Sequence, residues 1–450
     1  MKRLVSFILL ISILLTGCSI SSKQSETDSD GITEITFWHS MDGVFGDIVK
    51  EQIDEFNNTI GKEKGIKVTG VFQSWPGTTS LMTAMSADDI KNMPDVIQLY
   101  GENVDMIRDY ERTVWAEDFI NNESSTIKKE DLIANTVTAQ SIDGKMIGVP
   151  YTASSLMLYY NMDYLKEAGF SEPPKTIAEM ADMMIKISEK TEAENGLNVA
   201  INQYELESFI SIQGENGTYF GNNESGHNKH MTEFSEEGKE ALKNFLQEWE
   251  KVIGTGVYKP VTDSINEEFS KGLHAMTIMT SSRIPTIAKL VGDSFEWGVT
   301  SIPTVNEGDV VGAYPSGSGL YIMDRESEAK KKAAWEFVSY MASKEAQVKW
   351  VGRTGYTPVN IHVQELDEYK KAVEVEPRLQ NAMNNLSNTP NTVVPSFTPN
   401  SNAIGTIIKD AMRAFGSGLI TKEEAYDEIV EGIEKSIEVY YRANPVGRND

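Results

Sequence analysis

Residues able to do covalent or acid–base chemistry are present in this chain, but no motif arranges them for it. Cysteine occurs once, at Cys18, and histidine five times among 450 residues. That count excludes a Cys-rich zinc or iron–sulfur site and an internal disulfide scaffold. The pair His227-x-x-His230 lies in a Gly- and Asn-rich stretch, 214–230, and reads as solvated surface loop, not as metal ligands. With 67 Asp and Glu residues, some pair always has the separation a glycoside-cleaving site needs, so the acids discriminate nothing. Ser316-Gly317-Ser318-Gly319 lacks the first glycine of a nucleophile elbow, and no Walker loop, Gly-x-Gly-x-x-Gly or His-Glu-x-x-His occurs. What the chain does offer is groups that hold a molecule without changing it. These are aromatic rings and short polar side chains at loop positions, such as Trp75 in Ser74-Trp75-Pro76-Gly77, Tyr100, and the run His39, Ser40, Asp42. No metal and no cofactor is expected.

The elements that would carry these groups are strand–helix alternations. Candidate strands run 32–38, 66–73, 95–100, 156–160, 274–279, 296–300 and 319–323, several of them nearly continuous in apolar residues, as buried strands are. Thr176 with Glu179 predicts a capped helix start, with Met180, Met183, Met184 and Ile187 on one face. Ser235 predicts another start, ahead of a stripe of Leu242, Phe245, Leu246, Trp249 and Val252. Thr421 and Glu424 predict a third, over Ala425, Ile429, Ile433 and Ile437. This alternation argues for α/β architecture with mainly parallel sheets. The length suits two or three domains.

Composition sets the surroundings. Hydrophobic residues make up 40% and charged residues 24%, as in ordinary globular proteins, and the net charge is −26. Such a surface repels phosphate backbones, so no nucleic-acid partner is expected. The first residues, Met1-Lys2-Arg3 and an apolar run to Leu15, form a secretory signal too short to span a bilayer comfortably. The run ends in Leu15-Thr16-Gly17-Cys18, which resembles the bacterial lipobox. That resemblance implies a signal peptide over 1–17, lipid on Cys18 and a polar tether over 18–31. The folded part would then sit on the outer face of the cytoplasmic membrane, most simply as a monomer.

Four segments, in order, carry a wider resemblance. They are Ile35 to Gly43 (Ile-Thr-Phe-Trp-His-Ser-Met-Asp-Gly), Pro94 to Tyr100, Gly148-Val149-Pro150-Tyr151 through Thr176, and Trp350 through Thr354-Gly355-Tyr356-Thr357-Pro358-Val359. Together with the lipobox they resemble the extracellular solute-binding proteins of ABC importers for sugars and related solutes, and within that family the glycerol-3-phosphate-binding branch. The resemblance implies two α/β lobes of the type II periplasmic-binding-protein fold, with solute clamped between them. It implies lobe one over 32–150 plus 280–315 and lobe two over 151–279 plus 316–445, with crossings near Pro150, Met279 and Ser316. It also implies ABC permease subunits as partners and no catalysis. Two rival classes remain open: a secreted carbohydrate-active hydrolase, and a surface adhesin or sensor on the same fold.

A sugar presents hydroxyls at its edge and C–H groups on its faces, so its cleft needs aromatic platforms and short polar groups. On the implied fold, Trp38, Trp75, Tyr100, Tyr151 and Tyr356 are the candidate platforms, of which Trp38 reads as core. The polar candidates are His39, Ser40, Asp42, Gln98, Glu102, Ser154, Ser155, Ser281, Ser282, Ser318 and Asn400. The glycerol-3-phosphate branch places an arginine just before the last helical region; here Pro399-Asn400-Ser401-Asn402 has no basic residue. Arg283 is the expected substitute, and a neutral sugar or oligosaccharide is favoured over glycerol 3-phosphate.

Overall fold

Two open sheets, each covered by helices, divide the chain. The computed structural model describes residues 31–74, 78–218, 220, 230–262 and 264–443. In chain order its strands are β1 (Thr33–His39), β2 (Ile66–Phe72), β3 (Val96–Tyr100), β4 (Thr113–Val114), β5 (Ser141–Ile142), β6 (Lys145–Met146), β7 (Val149–Ser154), β8 (Leu156–Asn161), β9 (Asn195–Asn198), β10 (Tyr258–Lys259), β11 (His274–Thr280), β12 (Trp297–Ser301) and β13 (Ser316–Met323). The first sheet runs β2-β1-β3-β13-β4, with β7 also paired to β13, and the second runs β10-β9-β11-β8-β12.

Both sheets are mixed, a departure from the mainly parallel expectation. β1 pairs in parallel with β2 and β3, but β13 runs antiparallel to β3, β4 and β7. In the second sheet β9 is parallel to β10 and β11, while β8 is antiparallel to β11 and β12. Three of the antiparallel members, β7, β8 and β13, flank crossings between lobes. β7 ends at Ser154 in the first sheet, and β8 starts at Leu156 in the second.

Side-chain alternation gives each sheet two buried faces. Along β8, Leu156 and Leu158 enter a core with helices 177–190, 236–254, 401–416 and 422–443, while Met157 and Tyr159 enter another with Phe269, Ile284 and Trp297. In the first lobe, Leu320 and Ile322 of β13 join a core with helices 43–58 and 328–341, while Tyr321 and Met323 face a smaller one with Leu99 and Ile107. The aromatic centre of the larger core is Phe337, with ring centroids 5.3 Å from both Phe37 and Phe56. The capping expectations hold. Thr176 accepts the Glu179 amide hydrogen bond, Ser235 that of Gly238, and Thr421 and Glu424 cap each other reciprocally.

The strand pairing corrects the expected lobe boundaries. Residues 280–315, expected in lobe one, include β12 paired with β8 in the second sheet and Ile302, Val305 and Tyr314 in the second lobe's core. Residue 316 onward, expected in lobe two, begins with β13 of the first sheet, and Ala333 to Val359 supply that lobe's core. No crossing occurs at Met279, because β11 and β12 both pair with β8. The chain crosses at Ser155 and at Pro315, close to the expected Pro150 and Ser316, and again after Val359. The reason is physical: a strand cannot join a sheet whose edge it does not reach, and an apolar run carries no label for which of two sheets it completes.

Candidate functional site

A cavity of about 540 Å³ lies between the two lobes. From the first lobe it is lined by Tyr100 and Gly101 at the carboxyl end of β3, by Gln140, and by Ser316 and Gly317 at the start of β13. Ligands of open α/β sheets gather at such strand ends. From the second lobe come Asn202, Tyr204 and Glu207, then Tyr314, Ser396, and the face of helix 401–416 that carries Asn402, Thr406 and Lys409. Residues 402, 406 and 409 fall on one side of a helix of 3.6 residues per turn.

Local chemistry holds the second-lobe wall in place. Asn202 donates its backbone N–H to Glu205 at 3.0 Å and starts helix 203–211. Burial raises the Glu205 carboxyl above its usual range. Glu207 is 3% exposed and accepts from Gln203 Nε2 at 2.7 Å and Ser396 Oγ at 3.0 Å. The Tyr204 and Tyr314 rings meet at 5.0 Å and 60°. Burial pushes the Tyr204 hydroxyl well above the ordinary phenol range, so it stays neutral. On the first-lobe side Gly317 packs so tightly that a Cβ would sit 1.9 Å from the Thr152 carbonyl oxygen. Lys409 is exposed and has no ion pair among the described residues.

Of the expected platforms, Tyr100 lines this cavity. Tyr356 lies beside it: a hydrogen bond between their hydroxyls moderates the upward push of burial on Tyr356, whose ring rests on Phe45 at 5.3 Å and Trp350 at 5.8 Å. Trp75 falls outside the described residues, as do Cys18 and His227. Glu102 sits in the 3₁₀ turn Gly101–Asn103 that follows β3. Trp38 packs against the smaller first-lobe core, and Tyr151 is fully buried, its hydroxyl donating to Gln52 Oε1 at 2.7 Å.

Most of the polar candidates support the cleft without lining it. Ser318 is 1% exposed; its hydroxyl accepts from Gln98 Nε2 at 2.8 Å and meets Thr152 Oγ1 at 2.7 Å. Gln98 Oε1 in turn accepts the Ser40 N–H at 3.2 Å. Ser154 is buried opposite Ser316 in the β7–β13 ladder. Ser155 and Ser281 are fully buried at the first crossing. There Ser155 Oγ accepts from Asn385 Nδ2 at 2.9 Å and the Ser281 N–H donates to the Ser155 carbonyl at 2.8 Å.

The others lie elsewhere. His39 meets Phe37 at a tilt and Phe72 edge-on at the end of β1, and burial lowers its pKa. Asp42 is exposed at the start of helix 43–58, and Ser282 bonds to Thr280 at 2.6 Å. Arg283 is exposed and does not line the cavity. Asn400 takes a left-handed conformation (φ 56°), which its short polar side chain tolerates, and donates to Ser436 Oγ at 2.9 Å. The basic residue that lines the cavity is Lys409, two turns inside helix 401–416, while Arg283 is not among the lining residues. One signal was available for the second-lobe wall: Asn202 with Glu205, ahead of Leu206, Phe209 and Ile210, is a capping pair.

His230 is also corrected. It is no solvated loop residue but 6% exposed, wedged against Asp105 and Asp109. Among the described residues, no cluster of three or more metal-ligating side chains occurs.

Two sheets joined by repeated crossings, with an aromatic and polar cavity between them, define a two-lobe solute-binding protein. The family model described as bacterial extracellular solute-binding protein matches residues 51–377, and the chain belongs to that family. The sn-glycerol-3-phosphate-binding periplasmic protein UgpB of Pectobacterium atrosepticum is 26% identical over 420 residues, 89% of this chain and 90% of that protein. The fold is shared with the sugar-binding protein MalE from Xanthomonas citri (TM-score 0.76, 18% identity, 93% of this chain and 100% of that one). It is likewise shared with the cyclic alpha-maltosyl-1,6-maltose binding protein from Arthrobacter globiformis (TM-score 0.72, 20% identity, 91% and 100%). The chain is thus a substrate-binding protein of the ABC-importer type.

Proposed function

We propose that the solute is of the carbohydrate class and that it binds between Tyr100 of the first lobe and the Tyr204–Tyr314 pair of the second. The observation that supports this reading is the lining itself: three tyrosines, with the amides of Gln140 and Asn202 and the Glu207 carboxylate between them. Rings take the apolar faces of a sugar, and amides and carboxylates take its hydroxyl edge. Solute touching both walls would favour the closed arrangement by its differential contacts. The closed form would then be presented to the permease, with the receptor, a monomer, held at the outer face of the membrane by lipid on Cys18.

A second reading is favoured by one residue. Lys409, which has no ion pair among the described residues, brings its ammonium to the same cavity that Ser401 and Asn402 line from the first turn of helix 401–416. A phosphate ester of glycerol would use that ammonium and the amides there, in keeping with the name of the UgpB relative. Thermal unfolding of the mature protein against sugars, oligosaccharides and glycerol phosphates separates the two readings. A midpoint rise with uncharged sugars supports the first, a rise confined to glycerol phosphates supports the second, and no rise with any of them counts against both.

A further inference from the structure

Beside the cleft, one contact joins the lobes through ionisable groups. Gly101 lines the cavity, and helix 105–108 follows within the first lobe, its Val104 and Ile107 neighbours buried in that lobe's smaller core. Its Asp105 and Arg108 are 8% and 7% exposed, and the adjacent Asp109 is 53% exposed. His230 comes from the second lobe, where Met231 and Phe234 anchor it in the core. Its Nδ1 lies 3.2 Å from Asp105 Oδ1 and its Nε2 2.9 Å from Asp109 Oδ2. Among the described residues, the charged and titratable groups facing the imidazole come from two elements. Asp105, Arg108 and Asp109 face it from the first lobe, and the Tyr441 ring, at 6.4 Å, with its neighbour Tyr440, from helix 422–443. The tyrosine hydroxyls are pushed up by burial and stay neutral.

The charges do not balance without a proton. Arg108 reaches Asp105 at 3.5 Å and Asp109 at 3.9 Å, so two carboxylates share one guanidinium. Neutral His230 leaves this largely buried group with net negative charge; imidazolium completes it. Burying unbalanced charge is costly, and balancing it by protonation is the cheaper course.

We propose that His230, Asp105 and Asp109 form a proton-controlled latch between the lobes, tightening the closed form of the cleft as the imidazole charges. The proposal rests on the solute-cleft reading above, because it regulates closure of that same cleft. Opening would part His230 from both aspartates and return it to its ordinary titration near 6.5. In the latched form the Asp105 carboxylate lying 3.2 Å away, helped by Asp109, raises the imidazole's pKa against the opposing effects of burial and Arg108. The sign follows: latch stabilisation is complete below about pH 6.5 and is lost as pH rises through the higher latched value. Each pH unit of difference corresponds to a roughly tenfold preference of the proton for the closed form.

Small-angle scattering of the solute-free mature protein, at about pH 5.5 and about pH 8, reads the latch without a ligand. The wild type should contract on acidification. His230→Gln should show one radius of gyration at both pH values. Asp109→Asn, at a half-exposed side chain and so mild for folding, should contract less than the wild type. A wild type indifferent to pH, or either variant contracting as fully as the wild type, overturns the latch. Contraction intact in a protein that binds no carbohydrate or glycerol phosphate would sustain the latch and remove the functional reading instead.

Discussion

Gly355 of the first lobe lies against the backbone of Ser281 in the second: a Cβ on the glycine would sit 2.2 Å from the Ser281 carbonyl oxygen and 2.7 Å from Ser282 Cα. The neighbouring Tyr356 is the residue that bonds to Tyr100 at the cavity wall. Gly355→Ala must therefore push the two lobes apart or strain both loops, at a cost of about 1–3 kcal/mol. Solute affinity should fall roughly tenfold or more, each 1.4 kcal/mol being about tenfold. An unchanged dissociation constant, measured by calorimetry, would show that the two loops do not approach this closely in the bound protein.

Gln98 ties three strands together beneath the cavity floor. It receives the Ser40 N–H and donates to Ser318, which also bonds to Thr152. Gln98→Leu keeps the volume but leaves those buried partners unsatisfied, which costs about 1–3 kcal/mol for each group stranded. Urea unfolding of the solute-free protein should show a lower midpoint at constant slope. A midpoint equal to the wild type's would mean that water or a rearranged Ser318 replaces the amide.

Acid should loosen the second lobe through Glu268. Lys259 bonds to this carboxylate at 2.8 Å and is the main cause of its depressed pKa; His274, at 3.0 Å, adds to it against a desolvation penalty. A depressed carboxylate contributes stability above its unfolded value near 4.5, and that contribution is lost as pH falls through the lower folded value. Glu268→Gln should flatten the acid limb of a stability-against-pH profile while the limb above neutrality keeps its shape. An acid limb as steep as the wild type's would assign the loss to other carboxylates.

Replacing the single cysteine tests the anchor. Cys18→Ser removes the only thiol that could carry lipid, and the mature protein should then appear in the soluble extracytoplasmic fraction. Retention in the membrane fraction would point to an uncleaved signal segment as the tether.

The fold was legible wherever a local rule applied. Strands expected at 66–73, 156–160, 274–279 and 296–300 match β2, β8, β11 and β12 to within a residue or two, because apolar runs bounded by turn residues report burial directly. The helix caps were legible for the same reason, since Thr176 and Thr421 act on amides three residues away. Lobe membership was not, because nothing within β12 or β13 names the partner strand each meets. The cleft was half legible. Tyr100 follows from the rule of strand ends, but Tyr204, Tyr314 and Lys409 reach the cavity from a helix, a crossing and another helix far apart in the chain. Ser318 and Ser155 were visible as polar residues near the cleft; that they are buried braces depends on partners hundreds of residues away, Gln98 and Asn385.

The central claim is that solute sits between the tyrosines of the two lobes. Calorimetric titration of one panel of sugars, oligosaccharides and glycerol phosphates into the wild type, Tyr314→Ala and Lys409→Met tests it most directly. For an uncharged sugar, Tyr314→Ala should weaken binding by about tenfold or more, as befits the loss of a ring platform, and Lys409→Met should leave it unchanged. Binding that survives Tyr314→Ala undiminished, or a wild type that binds nothing in the panel, would contradict the account.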